Sequence, residues 1–410
     1  MTFSPVADRP LRTTPDLLSI RPEASATPPS GIAEVFAYGQ GRQGLLALWV
    51  GESDMPTGAA VTEAAFRSLQ AGETFYPGQR GHPEFRAAAA NYLAGVYADA
   101  PSRRWFAAPD RIFATIGGMH ALQIAMRLVA GVGDEVVVLA PAWPNFAGAA
   151  MVSGARPVEA PLSFSREDGH WRWRLDPDRL TAAITPATRA LVINTPANPT
   201  GWTASHDELA GILDLARARG LWIIADEIYG RFVYAGERAP SFRDLMEPDD
   251  RILFVQTMSK NWAMTGWRIG WLEAPAALGP TIENLIQYST SGVPLFTQRA
   301  ATAALTGDDA TFQALKTRAT ASRTVLAQGL GADSRVKFAL PDGAFYLFFA
   351  IDGVDDTRAA ALRLVDEAGL GLAPGTAFGP TGKNFFRLCF ARDPAEIGEA
   401  VRRLRRWLAA

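Results

Sequence analysis

The chain has 410 residues, 48% of them apolar and 20% charged, with a formal net charge of -2 at neutral pH. That composition is ordinary for a soluble globular enzyme, and the length predicts two domains sharing a cleft rather than a single core. The near-zero charge leaves no electrostatic case for nucleic acid or an anionic membrane, and no apolar run is long enough to span a bilayer.

Residues 1–30 carry Pro5, Pro10, Pro15, Pro22, Pro28 and Pro29 with few apolar anchors, the pattern of an extended arm. They lack the basic start and apolar stretch of a secretory signal. Cys389 is the only cysteine, so no intrachain disulfide can form. His82, His120, His170 and His206 are scattered without metal-ligand spacing. A cytoplasmic, metal-free protein is expected.

Gly39-Gln40-Gly41-Arg42-Gln43-Gly44 spells a dinucleotide fingerprint, but the next run, Leu45 to Val50, reads as a strand and not as a helix opening. It is read as a glycine-rich turn. Gly51-Glu52-Ser53-Asp54-Met55-Pro56 closes that strand, and helices are predicted over Gly58 to Leu69 and Pro83 to Tyr97, around a turn-rich loop from Thr74 to Gly81.

From about residue 110 the pattern alternates. Strands are expected at 111–116, 135–139, 190–194, 221–225, 252–256 and 269–273, with helices between several of them, among them 120–129 and 205–219. Such alternation predicts an α/β fold: a large domain with a mostly parallel mixed sheet sandwiched by helices. After about residue 297 come a long helical tract (300–329), strand-like segments at 336–340, 344–351 and 385–390, and a final helix at 394–408. These suggest a smaller α+β domain. The expected division is an arm (1–30), a large domain (61–297) and a small domain built from 31–60 and 298–410.

Ligands on sheets of this kind gather at the carboxyl ends of the strands. Lys260 follows one such strand in Thr257-Met258-Ser259-Lys260-Asn261-Trp262. A lysine held between buried strands must be dehydrated; burial lowers its pKa, and the free amine can form a Schiff base with a carbonyl. Ser259 beside it and Arg268 beyond it are donors suited to a phosphate. Amine, hydroxyl and guanidinium together describe a site for pyridoxal 5′-phosphate, an aldehyde carrying a phosphate.

Four other strand ends add to this. Ile116-Gly117-Gly118-Met119-His120 is a turn into a helix, where free amides can bind phosphate. Trp143 offers a planar face to a pyridine ring. Asn198 sits in the rigid turn Asn194-Thr195-Pro196-Ala197-Asn198-Pro199-Thr200-Gly201. Asp226 ends a very apolar strand, where a bare carboxylate is costly. A pyridinium N–H about 3 Å away would keep it charged, with roughly 5 kcal/mol of attraction before desolvation at an effective dielectric of about 20.

In this order the motifs G-E-S-D-M-P, Y-P-G-Q-R-G, T-I-G-G-M-H-A-L, N-P-T-G, D-E-I-Y, S-K-N-W-A-M-T-G-W-R-I-G, P-D-G-A-F-Y and F-F-R-L resemble the class I/II aminotransferases of fold type I, over about residues 31 to 408. The resemblance implies Lys260 as the Schiff-base lysine and Asp226 on the pyridine nitrogen. It implies Tyr229 and Asn198 at the ring 3′-oxygen, and Trp143 stacked on the ring. The Gly118 and Met119 amides, Ser259 and Arg268 would hold the phosphate, with Thr257 nearby. Tyr76 would reach that phosphate from a neighbouring subunit, implying a homodimer. Arg387 would clamp the substrate α-carboxylate, aided by the Gly51 backbone.

One position departs from the pattern. Relatives that take dicarboxylic substrates often carry a lysine where this chain has Met119, and a thioether offers apolar contact instead. Aspartate is therefore not the expected preferred donor, unless Arg42 or Arg80 substitutes. The reaction implied is transfer of an amino group between an L-amino acid and a 2-oxo acid. A β-eliminating C–S lyase, a decarboxylase or a cyclase would share fold and cofactor. A transcription regulator would need a basic domain ahead of this one, and 30 proline-rich residues do not supply it.

Overall fold

Seven strands form the main sheet of the computed structural model, which describes residue 20, residues 22–307 and residues 309–410. Most of the sequence predicted as an arm therefore lies outside the described residues; within it, Pro22–Ser25 is one short helical turn. The sheet runs in the order β2 (Ile112–Thr115), β10 (Gly270–Glu273), β9 (Ile252–Thr257), β8 (Trp222–Asp226), β7 (Thr188–Asn194), β3 (Glu135–Ala140), β4 (Arg156–Pro161). Only β10 runs antiparallel to its neighbours. β2, β3 and β9 are buried along their whole length. Strands covered on both faces read as near-continuous apolar runs, which is why they are recognisable from sequence.

A second sheet follows the order β11 (Val336–Phe338), β12 (Tyr346–Ile351), β15 (Phe385–Cys389), β14 (Ala373–Pro374). Its β12–β15 register sets Phe348 opposite Arg387 and Tyr346 opposite Cys389. Helices Thr357–Ala368 and Pro394–Ala409 complete this part of the chain, the latter capped by Asp393 with Pro394 in its first turn. Helix His206–Arg219 of the main body starts in a capping box between Ser205 and Glu208 and stops at Gly220, which has φ 63°.

Several expectations change. The run from Leu45 to Val50 is not one strand: only β1 (Leu46–Ala47) pairs, in parallel, with β13 (Leu370–Gly371). Beyond it the Leu48 amide still donates to Gly371 O, while Leu48 O accepts from the Cys389 amide, so the backbone leaves one strand for the edge of another sheet. The tract from Ala300 to Gly329 is two helices, Leu295–Thr306 and Ala310–Leu330, parted at Gly307 with Asp309 as the N-cap of the second. The first of them packs on helices Ala59–Gln70 and Pro83–Val96. The helix expected from His120 starts at Gly117. Gly39 ends an unanticipated helix, Gly31–Gly39, so the dinucleotide spelling lies in a helix end and the turn after it. Edge strand β4 and the hairpin of β5 (Ser163–Glu167) with β6 (His170–Arg174), which turns at Asp168-Gly169, are not among the expected strands.

Candidate active site

The carboxyl ends of β2, β3, β7, β8 and β9 deliver polar groups to one cavity of about 280 Å³, and β15 of the second sheet closes it with Arg387. Every site residue proposed from sequence lines this cavity except Tyr76. Tyr76 is 92% exposed and lies beside residues 290–296.

Lys260 follows β9, and its Nζ donates to the Gly51 carbonyl at 2.6 Å. Dehydration of the ammonium is the largest influence and brings the pKa down to about 8, so a substantial share of free amine exists near neutral pH. A side chain at position 51 would drive its Cβ into the Tyr346 hydroxyl, which accounts for glycine there. Asp226, at the end of β8, is 2% exposed. Burial raises its carboxyl to about pKa 7, opposed by the Ile228 amide (3.3 Å to Oδ1) and by the charge of Lys260. No cationic side chain pairs with it among the described residues.

The Tyr229 and Tyr346 hydroxyls share a hydrogen bond of 2.7 Å, and burial pushes both phenols above their ordinary pKa. Asn198 is held by its neighbours: its amide donates to Asn194 Oδ1 at 2.7 Å, and its carbonyl accepts from the Trp143 amide at 3.0 Å. Its Oδ1 accepts from Arg387 Nη1 at 3.0 Å. Arg387 Nη2 donates to Trp49 O, and the guanidinium lies over the rings of Tyr346 (4.7 Å) and Phe378 (4.9 Å). Arg387 is 2% exposed, its Nε has no hydrogen-bond partner, and no carboxylate pairs with it among the described residues. A buried arginine in this state is a receptor for an anion.

The same cavity holds a second group of donors suited to an anion. Helix Gly117–Val129 has no side-chain cap on its N-terminus, so its first amides are free to take an anion. Gly117 has φ +70°, and a Cβ there would sit 2.5 Å from Arg268 Nη2, so the guanidinium lies directly over this turn. The Thr257 hydroxyl donates to Ser259 Oγ at 2.9 Å and accepts from the Ser259 amide, completing the floor. Gly118 lies against Thr257, and Met119 is the third residue of the turn.

A model of the aminotransferase class I and II family matches residues 44–404. The chain belongs to that family. The aminotransferase is 30% identical to aspartate aminotransferase from Thermotoga maritima, whose crystal structure superposes with a TM-score of 0.85 over 95% of this chain and 100% of that one. It is 32% identical to aromatic-amino-acid aminotransferase 2 of Thermococcus litoralis, covering 93% of this chain and 96% of that protein. It is also 32% identical to the arginine–pyruvate transaminase of Pseudomonas aeruginosa, covering 88% and 89%. Enzymes of the family use pyridoxal 5′-phosphate, and the residues present fit that group: an uncapped helix end with an arginine over it for the phosphate, a buried carboxylate lacking a cation for the ring nitrogen, and a dehydrated lysine for the aldehyde.

Tyr346 was missed in the sequence as a site residue. In F-Y-L-F-F-A-I it reads as core, and only its bond to Tyr229 sets it in the cavity wall. Arg42 and Arg80, considered as replacements for a lysine at position 119, are engaged elsewhere. Arg42 pairs with Asp366, and Arg80 pairs with Glu283 at 2.8 Å.

Proposed function

We propose that this aminotransferase moves an amino group between an L-amino acid and a 2-oxo acid using Lys260 as both covalent anchor and proton carrier. When bound, pyridoxal phosphate supplies an aldehyde that links to an amine and a ring that withdraws electrons from the substrate's α-carbon. Gly118 and Met119 amides, Ser259 and Arg268 hold the phosphate, with Thr257 bracing Ser259. Trp143 covers one ring face. Tyr229 and Asn198 direct hydrogen bonds at the ring oxygen, and Tyr346 orients the Tyr229 hydroxyl. Asp226 keeps a proton on the ring nitrogen. Arg387 binds the α-carboxylate, aided by the Gly51 backbone.

The Lys260 amine, when not engaged with the aldehyde, would take the proton from the substrate's α-carbon and hold it as an ammonium until it is given back. A pKa near 8 suits an amine that must act as base and then as acid. The observation that carries this reading is the buried, acid-free Arg387 in the same cavity as Lys260 and Asp226. Met119, and the pairing of Arg42 and Arg80 elsewhere, support a donor range not restricted to aspartate. We further infer a homodimer in which Tyr76 completes the neighbouring site, in a reducing compartment such as the cytoplasm. Dividing the chain into 61–297 and 31–60 with 298–410 sets Lys260 and Asp226 on one unit and Arg387 on the other, so carboxylate binding draws the two together.

Borohydride reduction of the cofactor-loaded enzyme, followed by peptide mass mapping, is expected to fix the cofactor on Lys260. Lys260→Ala is expected to lose that adduct and to lower turnover roughly a thousandfold or more. An adduct on another lysine, or near wild-type turnover in Lys260→Ala, overturns the assignment.

A further inference from the structure

A second chamber of about 470 Å³ adjoins the active site and shares two walls with it, Met119 and Trp143. Small and apolar residues make up most of its lining, including Ala140, Ala142, Gly148 and Val158. Phe378, another wall, is the ring beneath the Arg387 guanidinium. The chamber thus begins beside the group proposed to hold the α-carboxylate.

Among the described residues its lining contains a single charged one, Glu159 on edge strand β4. Glu159 reaches across to the second part of the chain. The Thr381 hydroxyl donates to its Oε2 at 3.3 Å, and its Oε1 lies so close to Gly379 that a Cβ there would collide with it. No basic side chain pairs with this carboxylate among the described residues. Glu159 is exposed, so it stands at the rim of the chamber; the desolvation its carboxyl does undergo raises its pKa. Gly379 directly follows Phe378, so neighbouring residues touch Arg387 on one side and Glu159 on the other.

We propose that this chamber receives the donor's side chain and that Glu159 selects one ending in a cation, a guanidinium or an ammonium on a flexible methylene stem. The inference rests on the aminotransferase reading and names the substrate class of the same site. Met119 and Trp143 give the methylenes apolar contact, and the lone carboxylate supplies a charge-assisted bond at the far end. A short donor, apolar or acidic, does not reach Glu159, which then keeps only its Thr381 hydrogen bond.

The test is steady-state kinetics of the cofactor-loaded enzyme with L-arginine, L-ornithine, L-lysine, L-leucine, L-phenylalanine and L-aspartate as donors to pyruvate and to 2-oxoglutarate. The basic donors are expected to have the highest kcat/KM. In Glu159→Gln the arginine-to-leucine ratio of kcat/KM is expected to fall at least tenfold, mainly through KM. Glu159→Asp should recover part of that ratio, and Glu159→Lys should lower it further than Glu159→Gln does. A wild-type preference for leucine, phenylalanine or aspartate overturns the proposal, as does an arginine-to-leucine ratio that stays within twofold in Glu159→Gln. Those outcomes leave transamination standing; absence of turnover with every donor overturns both.

Discussion

Asp226 shows how a single residue can be tuned for a ligand at the expense of the empty protein. Its folded-state pKa of about 7 lies above the ordinary aspartate value of 3.8. An acid with a raised folded pKa contributes stability fully present below its unfolded pKa and lost as pH rises through the folded one. Without cofactor, this group therefore removes stability between about pH 4 and pH 7. The amide of an Asp226→Asn variant is neutral at every pH in that range. The stability advantage of cofactor-free Asp226→Asn over cofactor-free wild type is expected to grow by about 2 kcal/mol between pH 5 and pH 7.5. Turnover of the loaded variant should fall sharply. Paired urea denaturation curves at the two pH values check this, and a difference that does not change with pH refutes it. The same chemistry explains which site residues are legible in the sequence. Asp226 ends an apolar strand and Lys260 lies between two, so each demands a reason for being there, whereas Arg387 is legible only through the family motif F-F-R-L. Tyr346 is an aromatic among aromatics, and its role exists only through the Tyr229 hydroxyl that tertiary packing brings to it.

At the level of elements, the turn into helix Gly117–Val129 carries the proposed phosphate contact through its backbone. Its shape depends on Gly117, at φ +70°, with Arg268 against it and Arg268 itself left-handed at φ 54°. Gly117→Ala is expected to add about 1–2 kcal/mol of backbone strain and to push the guanidinium away. Cofactor affinity, measured by equilibrium dialysis, should weaken at least tenfold. Gly211→Ala, in the middle of helix His206–Arg219 with no atom within 4 Å of the added Cβ, is the control and should leave affinity unchanged. Equal affinities in the two variants would remove the turn from the cofactor site. Legibility of the elements depends on their surroundings. V-V-V-L in β3 and I-I-A-D in β8 are continuous because both faces are covered. R-P-V-E-A-P in β4 breaks that pattern with two prolines at a sheet edge. The β5–β6 hairpin does carry a local signal, the Asp168-Gly169 turn (φ 48° and 82°) between alternating segments, and Phe164 stacked on Trp171 at 4.7 Å adds to it.

For the whole molecule, the question is whether one chain makes a complete site. The cavity draws Arg387 from the four-stranded sheet and Lys260 and Asp226 from the seven-stranded one, yet Tyr76 stands apart. Tyr76, Phe75 and Tyr288 are each more than four-fifths exposed, and Pro77 packs near Gly292, so the 74–77 and 288–292 segments present aromatic surface together. Rings exposed in this way are consistent with the proposed second copy of the chain covering this surface. If Tyr76 serves the neighbouring site, Lys260→Ala and Tyr76→Ala subunits should complement one another. Lys260→Ala alone has no anchor in either site, and Tyr76→Ala alone weakens both. Subunit exchange at equal concentrations makes about half of all dimers mixed, and each mixed dimer has one site with both Lys260 and Tyr76. Recovered activity should therefore approach about a quarter of wild type, against a background set by Tyr76→Ala alone. Sedimentation establishes the dimer, and mass spectrometry of tagged subunits establishes that exchange occurred. Exchange without recovery would place Tyr76 outside the partner's site, because every other residue the site needs is present in the mixed dimer.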